Sequence, residues 1–241
     1  MRLFILVIWV VPVFLLSLPV HLYFKHLSKK DLVKCWEKSH RYVRGAFKTF
    51  LFLAGTKITV IGKENIPKDT AVLYVGNHRS YFDIIISQVL VPGHIGYVAK
   101  KEFLKHPFIN LYMRDIGCIF LDRENAKEGL KAINQGAEYM KMGHSIGLFP
   151  EGTRNSGDTL LPFKEGGYKM AEKSKCPIVV MSLSGMDKIF EANKFHLIWK
   201  RHVVIEFDKP VYPSELSKED KKAFYAGIPD RILEMQKNHV L

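Results

Sequence analysis

Cysteine is scarce in this chain. Cys35, Cys118 and Cys176 are its only three, they stand far apart, and no CxxC pair occurs. That spacing excludes a paired-cysteine metal site and offers no disulfide framework, as expected for a reducing compartment. An HExxH run and a GxxxxGK[ST] loop are also missing, which removes the zinc-protease and P-loop signatures. Acidic residues are in short supply: 24 Asp and Glu face 36 Lys and Arg, for a net charge of +12. Such a surplus points to a polyanionic partner, either nucleic acid or an anionic membrane surface. No RNP-like aromatic motif accompanies the basic residues, so the expectation is no nucleic-acid partner.

Charge of either sign is absent from Leu3 to Phe24, LFILVIWVVPVFLLSLPVHLYF. About 22 residues rising ~1.5 Å each reach roughly 33 Å as a helix, comparable to a hydrocarbon core. A signal peptide fits poorly, since only Arg2 leads the run and no small-x-small cleavage site follows it. Pro12 and Pro19 kink or break the helix, which sets a half-buried helix beside a spanning one. Lys25, Lys29, Lys30 and Lys34 come next, and the positive-inside tendency places that side in the cytoplasm. Leu32, Trp36, Val43, Phe47, Phe50, Leu51 and Ala54 then recur largely at three- and four-residue steps, with basic residues between them. Such a helix suits a bilayer interface or the protein's own core. Residues 1–55 therefore read as a membrane-associated helical hairpin, with the active domain on the cytoplasmic face.

After Gly55 short β-branched runs alternate with helical stretches. The pattern predicts strands at 57–62, 71–76, 95–100, 118–122, 145–150, 177–183, 196–200 and 202–208, with helices at 80–90, 102–114, 125–142 and 164–174. A last polar helix runs from Pro213-Ser214 toward Asn238, interrupted near Gly227-Ile228-Pro229. Alternation of this kind implies an α/β fold, a largely parallel central sheet covered by helices, over residues 56–241. The last two strand runs meet at Arg201 and have an antiparallel hairpin as their alternative.

In open α/β sheets, sites form where strands give way to loops. GNHRSYFD follows AVLYV, LDRE follows CIF, and FPEGTRN ends SIGLFP. Within one regular helix, His78 and Asp83 would lie roughly 140° apart. They meet only if His78 belongs to the loop and folds back over the first turn. Ser80 and Asp83 have capping-box spacing, which allows a purely structural reading. A catalytic reading has Asp83 fix the His78 tautomer while the other ring nitrogen takes a proton from an alcohol. In FPEGTRN, Glu151, Gly152, Thr153 and Arg154 offer an acceptor, close backbone approach, a hydroxyl and a guanidinium. Arg154, with Lys100, Lys101 and Arg123 at other strand ends, makes a plausible phosphate cradle. No metal, no cofactor and no serine nucleophile elbow is expected.

NHRSYFD resembles the NHxxxxD motif of the glycerolipid acyltransferases. Residues 117–123, GCIFLDR, are similar to that family's second motif, FPEGTR to its third, and PIVV at 177–180 to its fourth, departing at Val180 where the family usually has proline. The motifs keep family order across roughly residues 70–185. The resemblance implies transfer of an acyl chain from acyl-CoA or an acyl carrier protein to the sn-2 hydroxyl of lysophosphatidic acid. In that reaction His78 would act as base, Asp83 would orient it, and Arg123, Arg154 and Lys100 or Lys101 would hold the phosphate. Glu151, Gly152 and Thr153 would shape the acceptor site or an oxyanion site. Another lysolipid acceptor and a non-catalytic, basic membrane-binding protein are the alternatives.

Overall fold

The computed structural model describes residues 2–122, 125–155, 157 and 159–239. Three helices lead the chain: α1 (Arg2–Leu16), α2 (Leu18–Lys30) and α3 (Leu32–Ala54). The first two meet at Ser17 with a 49° bend. Pro12 sits inside α1 without ending it. The break comes ahead of Pro19, which has no N–H to donate to the preceding turn. No single helix among the described residues is long and apolar enough to cross a membrane, although the bent pair passes that test together.

The amphipathic spacing of α3 is used on the protein's own core. Trp36, Ser39, His40, Val43, Leu51 and Ala54 are buried along one face. Its start is capped by the Asp31 side chain, which accepts from the Lys34 amide at 2.9 Å. Its end is Gly55 in the left-handed conformation. Trp36 stacks on His144 with ring centres 4.1 Å apart. The His40 ring, buried, reaches the Trp36 carbonyl through Nδ1 at 2.8 Å and takes the Ile95 amide on Nε2 at 2.8 Å.

Seven strands form one sheet in the order β1-β7-β6-β2-β5-β3-β4. They are β1 (Lys57–Ile61), β2 (Leu73–Gly76), β3 (Ile95–Lys100), β4 (Ile119–Leu121), β5 (Ser145–Leu148), β6 (Ile178–Ser184) and β7 (His202–Phe207). All neighbours pair in parallel except β6 and β7. Side chains alternate across the sheet, and both faces are covered, as a parallel sheet requires. Tyr74, Tyr97, Val179 and Ile205 pack toward α3 and α4 (Tyr81–Leu90). Leu73, Val75, Ile146 and Val180 pack on the other side, against α6 (Ala126–Lys141), α7 (Lys169–Ser174) and α8 (Lys218–Lys237).

Three expectations need correction. The run at 196–200 is not a strand: a 3-10 turn covers Lys194–His196, and the chain then extends without pairing. Its apolar alternation is real, because Ile198 is buried between exposed Leu197 and Trp199, but no neighbouring backbone completes a ladder. The antiparallel partner of β7 is therefore β6. The stretch 102–114 divides into a 3-10 turn (Lys101–Lys105) and α5 (Ile109–Asp115). Finally, α8 runs unbroken through Pro229. Burial of Ile228 and Ile232 against the sheet outweighs the ~3 kcal/mol that an interior proline costs.

The chain after β2 enters α4 on one face, and the chain after β5 leads to α7 on the other. Since β2 and β5 are adjacent and parallel, their outgoing loops leave the same end of the sheet, where such sheets place ligands.

Burial pushes the His40 imidazole down to about 4, and it lowers His94 and His144 as well. Below pH 6.5 the unfolded chain binds protons that folded His40 refuses until about pH 4, so stability is lost on acidification through that window. The urea midpoint should therefore fall from pH 6.5 to pH 4, with roughly 3 kcal/mol of the loss due to His40. His40→Gln should flatten that dependence; an unchanged slope would mean the buried ring is not its source.

Candidate active site

The loop after β2 turns sharply at Gly76 and Asn77. A Cβ on Gly76 would lie 2.8 Å from the Met181 side chain and 3.0 Å from its carbonyl oxygen, so only glycine lets β2 run this close to β6. Buried Asn77 then ties the loop to β6. Its amide donates to the Leu183 carbonyl and its oxygen accepts from the Leu183 N–H, both at 2.9 Å.

His78 follows, ahead of the helix and outside its 3.6-residue geometry. Ser80 is the N-cap of α4, its hydroxyl accepting from the Phe82 N–H at 3.0 Å, and Asp83 closes the capping box. Asp83 Oδ2 accepts from the Ser80 N–H at 2.8 Å, the Arg79 N–H at 2.7 Å and His78 Nδ1 at 2.8 Å. The structural and catalytic readings of this motif are therefore not rivals, since one oxygen caps the helix and holds the imidazole. Asp83 is fully buried, whereas the His78 side chain retains 15% exposure. The nitrogen facing the carboxylate carries the proton, which leaves Nε2 as the acceptor. The His78 ring lies flat on Phe149, centres 4.3 Å apart.

The loop after β5 clasps His78 from the other side. Glu151 is buried, and its Oε1 accepts from the His78 N–H at 2.8 Å. Its Oε2 accepts from the Leu161 N–H at 3.0 Å. The Asn155 N–H donates to the His78 carbonyl at 2.8 Å. Gly152 supplies the positive φ of 76° on which this turn depends, and Thr153 is exposed beside it. Two of the three loops thus meet around one histidine.

Arg154 lies over the Tyr81 ring at 3.6 Å, donates to the Tyr81 hydroxyl at 2.9 Å and pairs with Glu191 at 3.4 Å. Lys100 ends β3 and Lys101 follows it, on the same sheet edge as His78 because β3 runs parallel to β5. Lys101 pairs with Asp122 at 3.5 Å. Arg123 lies outside the described residues. Among the described residues, no group of His, Cys, Asp and Glu is arranged to hold a metal ion.

Sequence pattern alone missed Glu191. Its carboxylate accepts from the Ser80 hydroxyl at 2.7 Å and the Tyr81 N–H at 2.9 Å, besides pairing with Arg154. No motif surrounds it, and the contact spans 111 residues of chain. The segment Gly143–Gly147, GHSIG, does match the G-x-S-x-G pattern. Ser145 nonetheless opens β5 rather than a strand-to-helix turn, and its buried hydroxyl accepts from the Val72 N–H at 3.1 Å. It sits at the opposite end of the strands from His78.

A family model described as Acyltransferase matches residues 57–184. The chain is 37% identical over 151 residues to a 1-acyl-sn-glycerol-3-phosphate acyltransferase of Borreliella burgdorferi, covering 63% of this chain and 60% of that protein. Proteins of the same name are similar in Helicobacter pylori, at 30% identity over 87% of this chain and 88% of that one, and in Bacillus subtilis, at 29% over 82% and 96%. The chain spans only about 60% of the length of some curated relatives it matches, the Borreliella protein among them. A crystal structure of the 1-acyl-sn-glycerophosphate (LPA) acyltransferase PlsC from Thermotoga maritima superposes with a TM-score of 0.70 at 25% identity, over 94% of this chain and 98% of that one.

Asp83→Ala removes the acceptor for two backbone N–H groups and a helix cap, and should cost about 2–4 kcal/mol of stability. His78→Ala, at a partly exposed ring, should cost less than about 1 kcal/mol. Urea denaturation of both variants provides the check, and equal losses would contradict a structural role confined to the carboxylate.

Proposed function

This chain belongs to the acyltransferase family, and on that premise we propose that it transfers an acyl chain from an acyl thioester to the sn-2 hydroxyl of lysophosphatidic acid, giving phosphatidic acid. The reading rests on one observation above the others: His78 Nδ1 is held at 2.8 Å by a buried carboxylate, which leaves Nε2 to accept a proton. As the hydroxyl oxygen attacks the thioester carbonyl, Nε2 takes the hydroxyl proton and Asp83 stabilises the imidazolium. The C–O ester bond forms, the C–S bond breaks, and the proton passes to the departing thiolate. No acyl-enzyme is required, because holding both substrates together supplies the orientation.

Glu151 acts as a positioning residue, since both its oxygens are already engaged by the loop. Gly152 and Thr153 face the acceptor or the oxyanion. Arg154, with Arg123 and Lys100 or Lys101, binds the phosphomonoester. The thioester donor is acyl-CoA or an acyl carrier protein, either of which suits a basic surface.

Helices up to residue 55 act as the membrane-facing part and residues 56–241 as the catalytic part, on the cytoplasmic side of the bilayer. Support comes from α1, where Phe4, Ile8, Val11, Leu15 and Leu16 are half exposed or more, too much apolar surface for water alone. Because α3 shares its core with the sheet, insertion of α1 would hold the His78 site close to the lipid surface.

Purified full-length protein, given one acyl thioester and lysophosphatidic acid in vesicles, should form phosphatidic acid. Under those conditions His78→Ala should lower kcat by about 10³-fold or more. Arg154→Ala should raise KM for the acceptor by roughly tenfold or more, the loss of a charge-assisted hydrogen bond. Parental rates in the His78 variant would reject the assignment.

A further inference from the structure

The connection from β6 to β7 starts at the site and ends at the N-terminal helices. Glu191 holds Ser80 and Tyr81 at one end. At the other, the Arg201 carbonyl accepts from the Lys57 N–H at 2.9 Å, two residues beyond Gly55. Arg2 of α1 reaches the same corner, donating to the Leu53 carbonyl at 3.1 Å.

Between those ends the chain displays apolar side chains instead of hiding them. Phe195 is 78% exposed, Trp199 47% and Leu197 39%. The display is built rather than slack. Asn193 donates to the carbonyls of Lys188, Ile189 and Leu197 at 3.0, 2.8 and 2.9 Å. Buried Ile189 and Ile198 anchor the two limbs, and the Trp199 N–H donates to the Ile189 carbonyl at 3.0 Å. At the tip Phe195 and His196 hold φ of 57° and 50°, a left-handed conformation that costs non-glycine residues energy and persists where its surroundings enforce it.

Charge along residues 192–202 has one sign. From Ala192 to His202 there is no acidic residue, while Lys194, Lys200 and Arg201 interleave with the apolar ones. Lys194 lies 5.2 Å from the Phe195 ring centre and Arg201 5.0 Å from that of Trp199. Aromatic rings with cations over their faces suit the headgroup level of an anionic bilayer, where ring and charge are both satisfied. Phe52 and Phe4, on the helices that meet this corner, are exposed as well.

We propose that the 194–201 loop is a second membrane-docking surface, which seats Phe195, Leu197 and Trp199 among anionic headgroups on the side of the domain that carries His78. The inference deepens the membrane reading above and rests on it. Docked there and through α1, the domain is fixed at two points, and the His78 site keeps one orientation to the lipid.

The three native cysteines are buried, so Phe195→Cys in the full chain can carry an environment-sensitive fluorophore. On vesicles of phosphatidylcholine with one-third phosphatidylglycerol, its emission should shift to the blue and be quenched by nitroxide lipids labelled near the headgroup. Lys194→Gln with Lys200→Gln should weaken binding to these vesicles roughly tenfold and leave the rate on detergent-dispersed acceptor unchanged. Emission that stays unchanged on vesicles that co-float the protein, a failure to bind vesicles, or a response only to an acidic carrier protein would each overturn the proposal. The emission needs no turnover, so its outcome is independent of whether acyl transfer occurs.

Discussion

One carboxylate oxygen carries most of this site. Asp83 Oδ2 receives three donors, from His78, Arg79 and Ser80, within 2.7–2.8 Å. Among the described residues Asp83 Oδ1 has no hydrogen-bond partner, so the load is not shared. Two of the donors are backbone amides at the start of α4, where the helix dipole also favours negative charge. The helix terminus therefore holds the carboxylate in place, and the carboxylate fixes the imidazole. Folding of the first turn and positioning of the imidazole are a single event.

The sheet makes that event useful. Adjacent parallel strands bring the loops after β2 and β5 to one end of the sheet, where His78 and Glu151 meet. Glu151 accepts from the His78 amide while Asn155 donates to its carbonyl, so the histidine backbone is gripped on both sides. Glu191 extends this grip to a third segment, joining the cap of α4 to Arg154. A histidine held so firmly needs the substrate brought to it, which is what the membrane docking proposed for α1 and the β6–β7 loop would supply.

Much of this was legible in the residues, for identifiable reasons. Strands β1 and β3 and helices α4 and α6 follow local pattern closely, since buried runs, caps and turns lie within a few residues of one another. The Ser80-x-x-Asp83 box gave both the helix start and the means for His78 to meet Asp83. Where the reading failed, distant packing decided. Residues 196–200 alternate like a strand, yet a strand needs a neighbour's backbone, and only Ile198 found a core to enter. Pro229 suggested an interruption that burial of Ile228 and Ile232 prevented. Glu191 left no local trace because its partners belong to other strands' loops. The G-x-S-x-G match at Gly143–Gly147 shows the converse, a pattern whose structural setting removes its chemistry.

The central claim is that the Asp83 charge, beyond its capping, prepares His78 for proton transfer. Asp83→Asn separates the two roles, because the amide oxygen can still accept from the Arg79 and Ser80 amides while the negative charge beside the imidazole is gone. Steady-state acyl transfer by this variant, with folding followed by circular dichroism, is the direct measurement. An intact fold with kcat lowered by roughly 10²–10⁴-fold is expected; an intact fold with a rate close to the parent's would contradict the account.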